Sequence, residues 1–293
     1  MSKVQILRRT VQVTVLSFMI VAPLLGLYDI LIENYRIHNV AGTFWQDLFY
    51  RVDDLVRKIS DDPMGFADMF KGSTWSVTIA GYNVTDPLAF VGVTLGGGGF
   101  YLALFLSALP LIVLTVLLGR VFCGWICPMH LLFELNGKLR RVLGLIGVRP
   151  FNISFNRYIK YLMLLTGGVL SLALGVQVMT FIYPPAILNR ELIHLIYFGS
   201  VGIGATLLLL LFFIEISLSE RTWCRYFCPG GALWSLMGAC RVVSVVRDPG
   251  LCDDCGDCDR ACEFGLSPMK DRTGMECDNC GKCIAACSGG SLS

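Results

Sequence analysis

Residues 252–287 read CDDCGDCDRACEFGLSPMKDRTGMECDNCGKCIAAC. The spacing C-x2-C-x2-C-x3-C occurs twice, as Cys252, Cys255, Cys258, Cys262 and then as Cys277, Cys280, Cys283, Cys287. Three close thiolates wrap one face of an iron–sulfur cubane, and the fourth cysteine of each run reaches across to the other cluster. On this spacing Cys252, Cys255, Cys258 and Cys287 hold one [4Fe–4S] cluster, and Cys277, Cys280, Cys283 and Cys262 hold a second. Paired CxxC motifs also bind zinc, but two identical four-ligand runs favour clusters. The proline that usually follows the fourth cysteine is missing, and Glu263 and Ser288 stand in its place. Disulfide scaffolds belong to short secreted chains, so this tail is expected in a reducing compartment.

Residues 248–293 therefore read as a small bacterial-type 2[4Fe–4S] ferredoxin domain. Residues 1–247 differ in kind. The whole chain is 55% hydrophobic and only 16% charged, with a mean hydropathy of +0.64. A soluble domain usually carries more charge. A bilayer core takes about 20 apolar residues per helix, and four stretches qualify: about 10–32, 99–119, 161–183 and 197–216. Lys3, Arg8 and Arg9 precede the first, which runs to about Ile32 without a small-residue cleavage site. A retained helix is the reading, not a signal peptide. The net charge of +2 gives no reason to expect a nucleic-acid partner.

Charge distribution sets the orientation. Arg120, Lys138, Arg140, Arg141, Arg149, Arg157 and Lys160 lie between the second and third stretches, and Arg221, Arg225, Arg241 and Arg247 follow the fourth. The segment between the first two carries Glu33, Asp47, Asp53, Asp54, Asp61, Asp62, Asp68 and Asp86. The expectation is a mainly α, four-transmembrane-helix bundle with both termini cytoplasmic, in a bacterial inner membrane, with residues 33–98 as an outer loop. Within that loop Phe44, Trp45, Leu48, Phe49, Val52, Leu55, Val56 and Ile59 recur at helical spacing, as in an amphipathic helix on the membrane face or a partner-docking surface. Asp86-Pro87 reads as an N-cap followed by proline at the first helical position. It opens either a short half-helix or an extra turn of the next helix.

The sequence repeats itself at an offset of about 101 residues. Arg120, Cys123, Cys127, Pro128, Leu132, Leu135, Gly137 and Arg140 fall on Arg221, Cys224, Cys228, Pro229, Leu233, Leu236, Gly238 and Arg241. Each copy holds two expected membrane helices and one CxxxCP motif. Two spans per copy make a parallel repeat, related by an axis along the membrane normal, which would bring Cys123, Cys127, Cys224 and Cys228 to one cytoplasmic site. Cysteines at i and i+4 share a helix face. Four such thiolates suit an iron–sulfur cluster or another thiophilic metal; a redox-active dithiol and plain packing are the alternatives. Cys240 has no partner in spacing and reads as packing.

Haem finds few ligands here. There is no CxxCH, and the histidines are His38, His130 and His194. A diffusible quinone is then the natural carrier within the bilayer. Quinone chemistry needs a proton-handling group beside an apolar pocket. Asp29, Asp86, Glu191 and His194 are the candidates near the outer side, and Glu215 and His130 those near the inner side.

Two CxxxCP motifs after paired membrane helices, followed by a two-cluster ferredoxin tail, resemble the NapH family of membrane quinol dehydrogenase subunits associated with periplasmic nitrate reductase. The resemblance covers most of the chain: the four helices, Cys123–Pro128, Cys224–Pro229 and Cys252–Cys287. Nitrous oxide reductase maturation factors and cytochrome oxidase assembly factors share the core, but the roughly 66 residues 33–98 are few for the large flavin domain of the former. The resemblance implies quinol oxidation in a respiratory electron-transport complex, with electrons handed to an iron–sulfur or multihaem partner outside the membrane. A competing reading is a metal-cofactor assembly factor whose CxxxCP thiolates bind or reduce copper. A membrane anchor with structural clusters is a third.

Overall fold

The computed structural model describes residues 3–33, 43–70, 72, 76–147, 151–271 and 273–293. His38 and Arg149 lie outside the described residues, as does 34–42 of the expected outer loop. Helices dominate the rest.

Helix α1 (Lys3–Glu33) starts before the expected residue 10. Its polar first turns are helical because they find partners: Arg8 pairs with Glu134 at 3.2 Å, and Gln12 donates to the Gly124 carbonyl at 2.9 Å. Helices α2 (Thr43–Ile59) and α3 (Pro63–Phe70) follow. The helical spacing expected over α2 is observed. Its buried residues Phe49 and Val56 pack on Leu25, Tyr28 and Ala67, so this apolar face covers α1 and α3. Ion pairs Asp47–Arg51, Asp53–Arg57 and Asp54–Lys58 occupy its other face.

Strands β1 (Ser76–Ile79) and β2 (Tyr82–Thr85) form a hairpin with Val77 opposite Val84. Its two-residue turn holds Ala80 and Gly81 at φ 52° and 81°, the conformation that matches the twist of the strands. Asp86 then caps a separate helix, α4 (Pro87–Gly97), by accepting from the Leu88 amide at 2.7 Å; Gly98, at φ 66°, ends it. Of the two sequence readings, the short independent helix is the one observed.

The core continues with α5 (Leu102–Leu118), α6 (Pro128–Leu145), α7 (Tyr158–Leu174), α8 (Pro184–Phe198), α9 (Ile203–Ser217) and α10 (Pro229–Met237). Two expected spans change here. The third does not reach residue 183: α7 stops at Leu174, with Gly175 at φ 66°. The chain then doubles back along α7. Ser171 Oγ accepts from the Val178 amide at 3.1 Å, and a Cβ on Gly167 would lie 3.1 Å from Met179. Small residues on α7 thus make room for the return, which hydropathy cannot register. The fourth span begins at Ile203, and the residues before it end α8, a helix the sequence reading missed.

The repeat is deeper than the cysteine motifs. At the same offset α5 starts at 102 and α9 at 203, and α6 starts at 128 and α10 at 229. Helices α4 and α8 also end in register, capped by Gly98 and Gly199 at φ 66° and 65°. Among the described residues one helix, over Lys3–Ile32, is long and apolar enough to cross a membrane by itself; Pro87–Gly97, Leu102–Leu118, Tyr158–Leu174 and Ile203–Ser217 are apolar but shorter.

In the tail, α11 (Asp257–Ala261) and α12 (Lys282–Ala286) pack together. Asp254 and Asn279 occupy matching left-handed positions, φ 55° and 50°, in the two cysteine loops, a conformation these two residue types tolerate.

Candidate functional site

The two CxxxCP segments are not regular α-helix. The Cys127 amide donates to the Phe122 carbonyl, and the Cys228 amide to the Trp223 carbonyl, each at 2.8 Å. These i→i+5 bonds make one π-turn over Phe122–Ile126 and another over Trp223–Phe227. Such widened turns recur at functional sites. Pro128 and Pro229 have no N–H to give and open α6 and α10. Cys127 and Cys228 therefore sit as extended N-cap residues rather than one helical turn after their partners. The Gly231 amide donates to Cys228 Sγ at 3.3 Å. At Cys127 the His130 amide donates instead to the backbone carbonyl, at 3.1 Å, and the side chain makes no cap bond.

All four cysteines, Cys123, Cys127, Cys224 and Cys228, line one small cavity of about 30 Å³. Its wall is completed by Arg120, Phe122, Met129, His130, Phe133, Tyr183, Trp223, Trp234 and Phe264, among others. Burial pushes all four thiols above their ordinary range, Cys228 up to about 12. Arg120 opposes this at Cys123, with Nη2 3.9 Å from Sγ. Four buried nitrogens on these walls, Arg120 Nε, His130 Nε2, Trp223 Nε1 and Trp234 Nε1, have no hydrogen-bond partner. Four soft ligands, a buried guanidinium and unpartnered donors suit an anionic thiolate-bound centre.

The tail closes this cavity. Phe264, two residues after Cys262, lines it and lies under Arg120, with the guanidinium carbon 5.1 Å from the ring centre. Two carboxylates hold the tail there. Glu263 pairs with Arg221 and Lys282; Glu276 pairs with Arg120 at 2.6 Å, and with Lys160 and Tyr161. Arg120 and Arg221 are counterparts in the repeat, and each is buried. Burial alone would raise the Glu263 carboxyl, but Arg221 and Lys282 pull it down to about 2. Arg157 adds a bond to the Phe264 carbonyl at 2.7 Å, Asn279 donates to the Leu118 carbonyl at 2.7 Å, and Trp125 donates to the Asn279 carbonyl at 3.1 Å. Gly124 has no side chain because a Cβ there would lie 2.8 Å from the Asp278 carbonyl oxygen.

Within the tail, Cys262 lies near enough to Cys277 and Cys283 to act on both electrostatically. Cys277 and Cys283 are buried and Cys280 is half-buried, whereas Cys255 is exposed and Cys252 and Cys287 are half-buried.

A second, larger apolar pocket of about 340 Å³ shares Phe122 and Pro185 with the four-cysteine cavity. Val77, Ile79 and Val84 of the hairpin, residues of α1, Leu111, Ile126 and Pro128 also line it, and Asp86 is the one ionisable residue among the described residues there. Asp86 is buried, and this raises its carboxyl to about 6 against the opposing bonds from Leu88 and Tyr183. Tyr183 donates from its hydroxyl to Asp86 Oδ2 at 3.1 Å while its ring lines the cysteine cavity.

The other quinone-site candidates are occupied differently. Glu191 accepts from the amides of Gly202, at 2.6 Å, and Gly204, at 3.1 Å, and so caps the start of α9. His194 Nδ1 lies 2.9 Å from the Ser200 carbonyl oxygen. Glu215 receives the amides of Thr222 and Trp223 ahead of the second π-turn. Asp29 lines neither of the two cavities described. His130 lines the cysteine cavity, and burial together with Arg221 and Arg8 keeps its ring neutral. Cys240 is exposed, so packing does not explain it. Sequence reasoning missed Tyr183, Phe264 and the docking role of Glu263, Glu276 and the two arginines. The available signals were Glu263 in place of proline and an arginine three residues ahead of each CxxxCP motif.

A family of sequences described as a 4Fe-4S binding domain matches residues 100–146 and 198–243, the two repeat copies. The chain is 31% identical to the ferredoxin-type protein NapH of Haemophilus influenzae, over 53% of this chain and 52% of that protein. It is 32% identical to NapH of Escherichia coli, over 61% and 60%. It is also 31% identical to the methylamine utilization ferredoxin-type protein MauN of Methylorubrum extorquens, over 68% of each. The match thus spans about half to three fifths of the length of the two NapH proteins. No solved structure matches the chain.

Proposed function

Since this chain belongs to the family of ferredoxin-type proteins that includes NapH and MauN, we propose that it is a membrane electron-transfer subunit that oxidises quinol and relays electrons through [4Fe–4S] clusters to a partner reductase. One observation carries the reading. The four-cysteine cavity has Phe264 of the tail on one wall and shares Phe122 and Pro185 with the apolar Asp86 pocket on another.

Helices α1, α5, α7 and α9 cross a bacterial inner membrane in this reading, with the arginine-rich segments, the cysteine cavity and the tail on the cytoplasmic side. Helices α4 and α8 are then half-helices whose capped starts, near Asp86 and Tyr183, meet the core beside the cavity. Irregular backbone at such depth is acceptable where it lines a cavity.

Cys252, Cys255, Cys258 and Cys287 would hold one tail cluster, and Cys277, Cys280, Cys283 and Cys262 the other. Cys123, Cys127, Cys224 and Cys228 would hold a third centre. When bound, these groups supply one-electron carriers. The chain's own contribution is position and proton handling. Glu263 and Glu276 hold the inner tail loop against the cavity, and the exposed Cys255 side of the tail faces outward toward a partner. Asp86 can take a quinol proton at Oδ2, and a carboxyl near 6 is matched to that task. The corresponding pocket beside the second π-turn, lined by Phe181, Ile187, Leu208 and Trp223 among others, has no ionisable residue, which favours the first copy as the quinol site.

The copper-handling reading has less support. A single ion needs converging ligands, and among the described residues the one such group is His130, Glu134 and Glu263. Arg8, Arg9, Arg221 and Lys282 already neutralise those carboxylates. The test is anaerobic purification followed by addition of a quinol analogue. Reduction of the clusters supports the reading; clusters that stay oxidised across a range of quinol potentials would sink it.

A further inference from the structure

The unpartnered nitrogens around the cysteine cavity share one chemical character. Trp223 Nε1, Trp234 Nε1 and Arg120 Nε can only donate. His130 Nε2 is the fourth, and it donates in one tautomer. Among the described residues no unpartnered oxygen or nitrogen acceptor lines the cavity beside them, and the acceptors on its walls are the cysteine sulfurs. Buried donors are rarely left unmade, so walls carrying unpartnered donors call for an acceptor-rich, anionic occupant.

The repeat sharpens this. Phe122 and Trp223 are counterparts at the same offset, and so are Phe133 and Trp234. All four rings line the cavity, and Phe122 stacks on Trp234 with centroids 4.2 Å apart. The two copies thus supply matching aromatic walls, but the second adds an N–H at each position. Apolar packing alone would not require that difference.

Resting on the reading that Cys123, Cys127, Cys224 and Cys228 hold an iron–sulfur centre, we propose that Trp223, Trp234 and Arg120 form a ring of N–H donors to its sulfur atoms and set its reduction potential. Reduction adds one electron, and hence one negative charge, to such a centre. Donors aimed at its sulfurs favour that form and raise the potential. Arg120 also pairs with Glu276 of the tail, so the two tryptophans are the members that test the cavity separately.

The test uses Trp223→Phe and Trp234→Phe in the intact, cluster-loaded protein. Phenylalanine already serves at the counterpart positions, so the walls keep their shape. Iron analysis comes first, with about twelve irons per chain expected for three cubanes. Each variant is then titrated electrochemically with detection by electron paramagnetic resonance. The expected result is a more negative midpoint for the cavity centre, with both tail clusters unmoved. Twelve irons with an unchanged midpoint in both variants overturns the donor ring and leaves the third centre standing. About eight irons in the wild type removes the centre, and the ring with it.

Discussion

Arg221 donates from Nε to Glu263 Oε2 at 3.1 Å, joining a residue three positions ahead of the second CxxxCP motif to the residue after Cys262. The guanidinium is buried, and its repeat counterpart Arg120 makes the matching bond to Glu276 beside Cys277. Both cysteine motifs of the core are therefore clamped to both sides of one tail loop. This geometry explains why a glutamate stands where two-cluster tails usually carry proline.

Glu263→Gln leaves the buried Arg221 with only its longer, 3.9 Å ion-pair contact to Glu134. Breaking such a pair costs on the order of 3–5 kcal/mol. Faster proteolysis and hydrogen exchange in the 241–251 linker of the loaded protein are expected, and wild-type rates would refute the clamp. The sign with pH follows from a depressed carboxyl. The contribution is fully present above the ordinary value of 4.5 and is lost as pH falls toward about 2.

Gly124→Ala places a methyl 2.8 Å from the Asp278 backbone oxygen, which cannot swing away. The tail must shift, and the same exchange assay should report loosening. Gly144→Ala is the control: nothing lies within 4 Å of it and it sits in α6. That change should stabilise by about 0.5–1 kcal/mol through helix propensity.

Asp86 should govern the pH dependence of quinol-driven cluster reduction. Its deprotonated form is the proton acceptor, so the rate should rise through about pH 6 and then level off. Asp86→Asn should abolish that rise, leaving a flat, slow profile. Tyr183→Phe removes a bond that stabilises the carboxylate, so its midpoint should move to higher pH. Stopped-flow reduction across pH 5–8 checks all three; an unchanged profile in Asp86→Asn would exclude this carboxyl.

Cys262→Ala and Cys255→Ala should each remove about four irons per chain, but from different clusters. The first strikes the cluster beside Phe264, so the tail should also undock. The second strikes the exposed cluster and should leave docking intact. Paramagnetic resonance with the proteolysis assay separates them, and loss of the same signal in both variants would contradict the crossed assignment.

The cysteine spacing, the approximate apolar helices and the offset of about 101 residues were legible because they are local or periodic. Asp86-Pro87 was legible as a cap for the same reason. The return of the chain along α7 was not, since Gly167, Ser171 and Met179 read simply as more apolar sequence. Nor was α8, whose Glu191 looked like a proton carrier and instead caps α9. Arg120 and Arg221 read as topology signals because an arginine's partner lies far away in the chain, here 156 and 42 residues on.

Sequence alone thus determined which atoms can bind metal, since ligand type and short spacing are covalent properties of the chain. Tertiary structure decided what those atoms face. The π-turns, the doubled-back segment and the buried carboxylate–arginine pairs bring one four-cysteine cavity, Phe264 of the tail and the Asp86 pocket side by side. Those contacts arise from packing and desolvated charge between distant segments, and neither is written in any local run of residues.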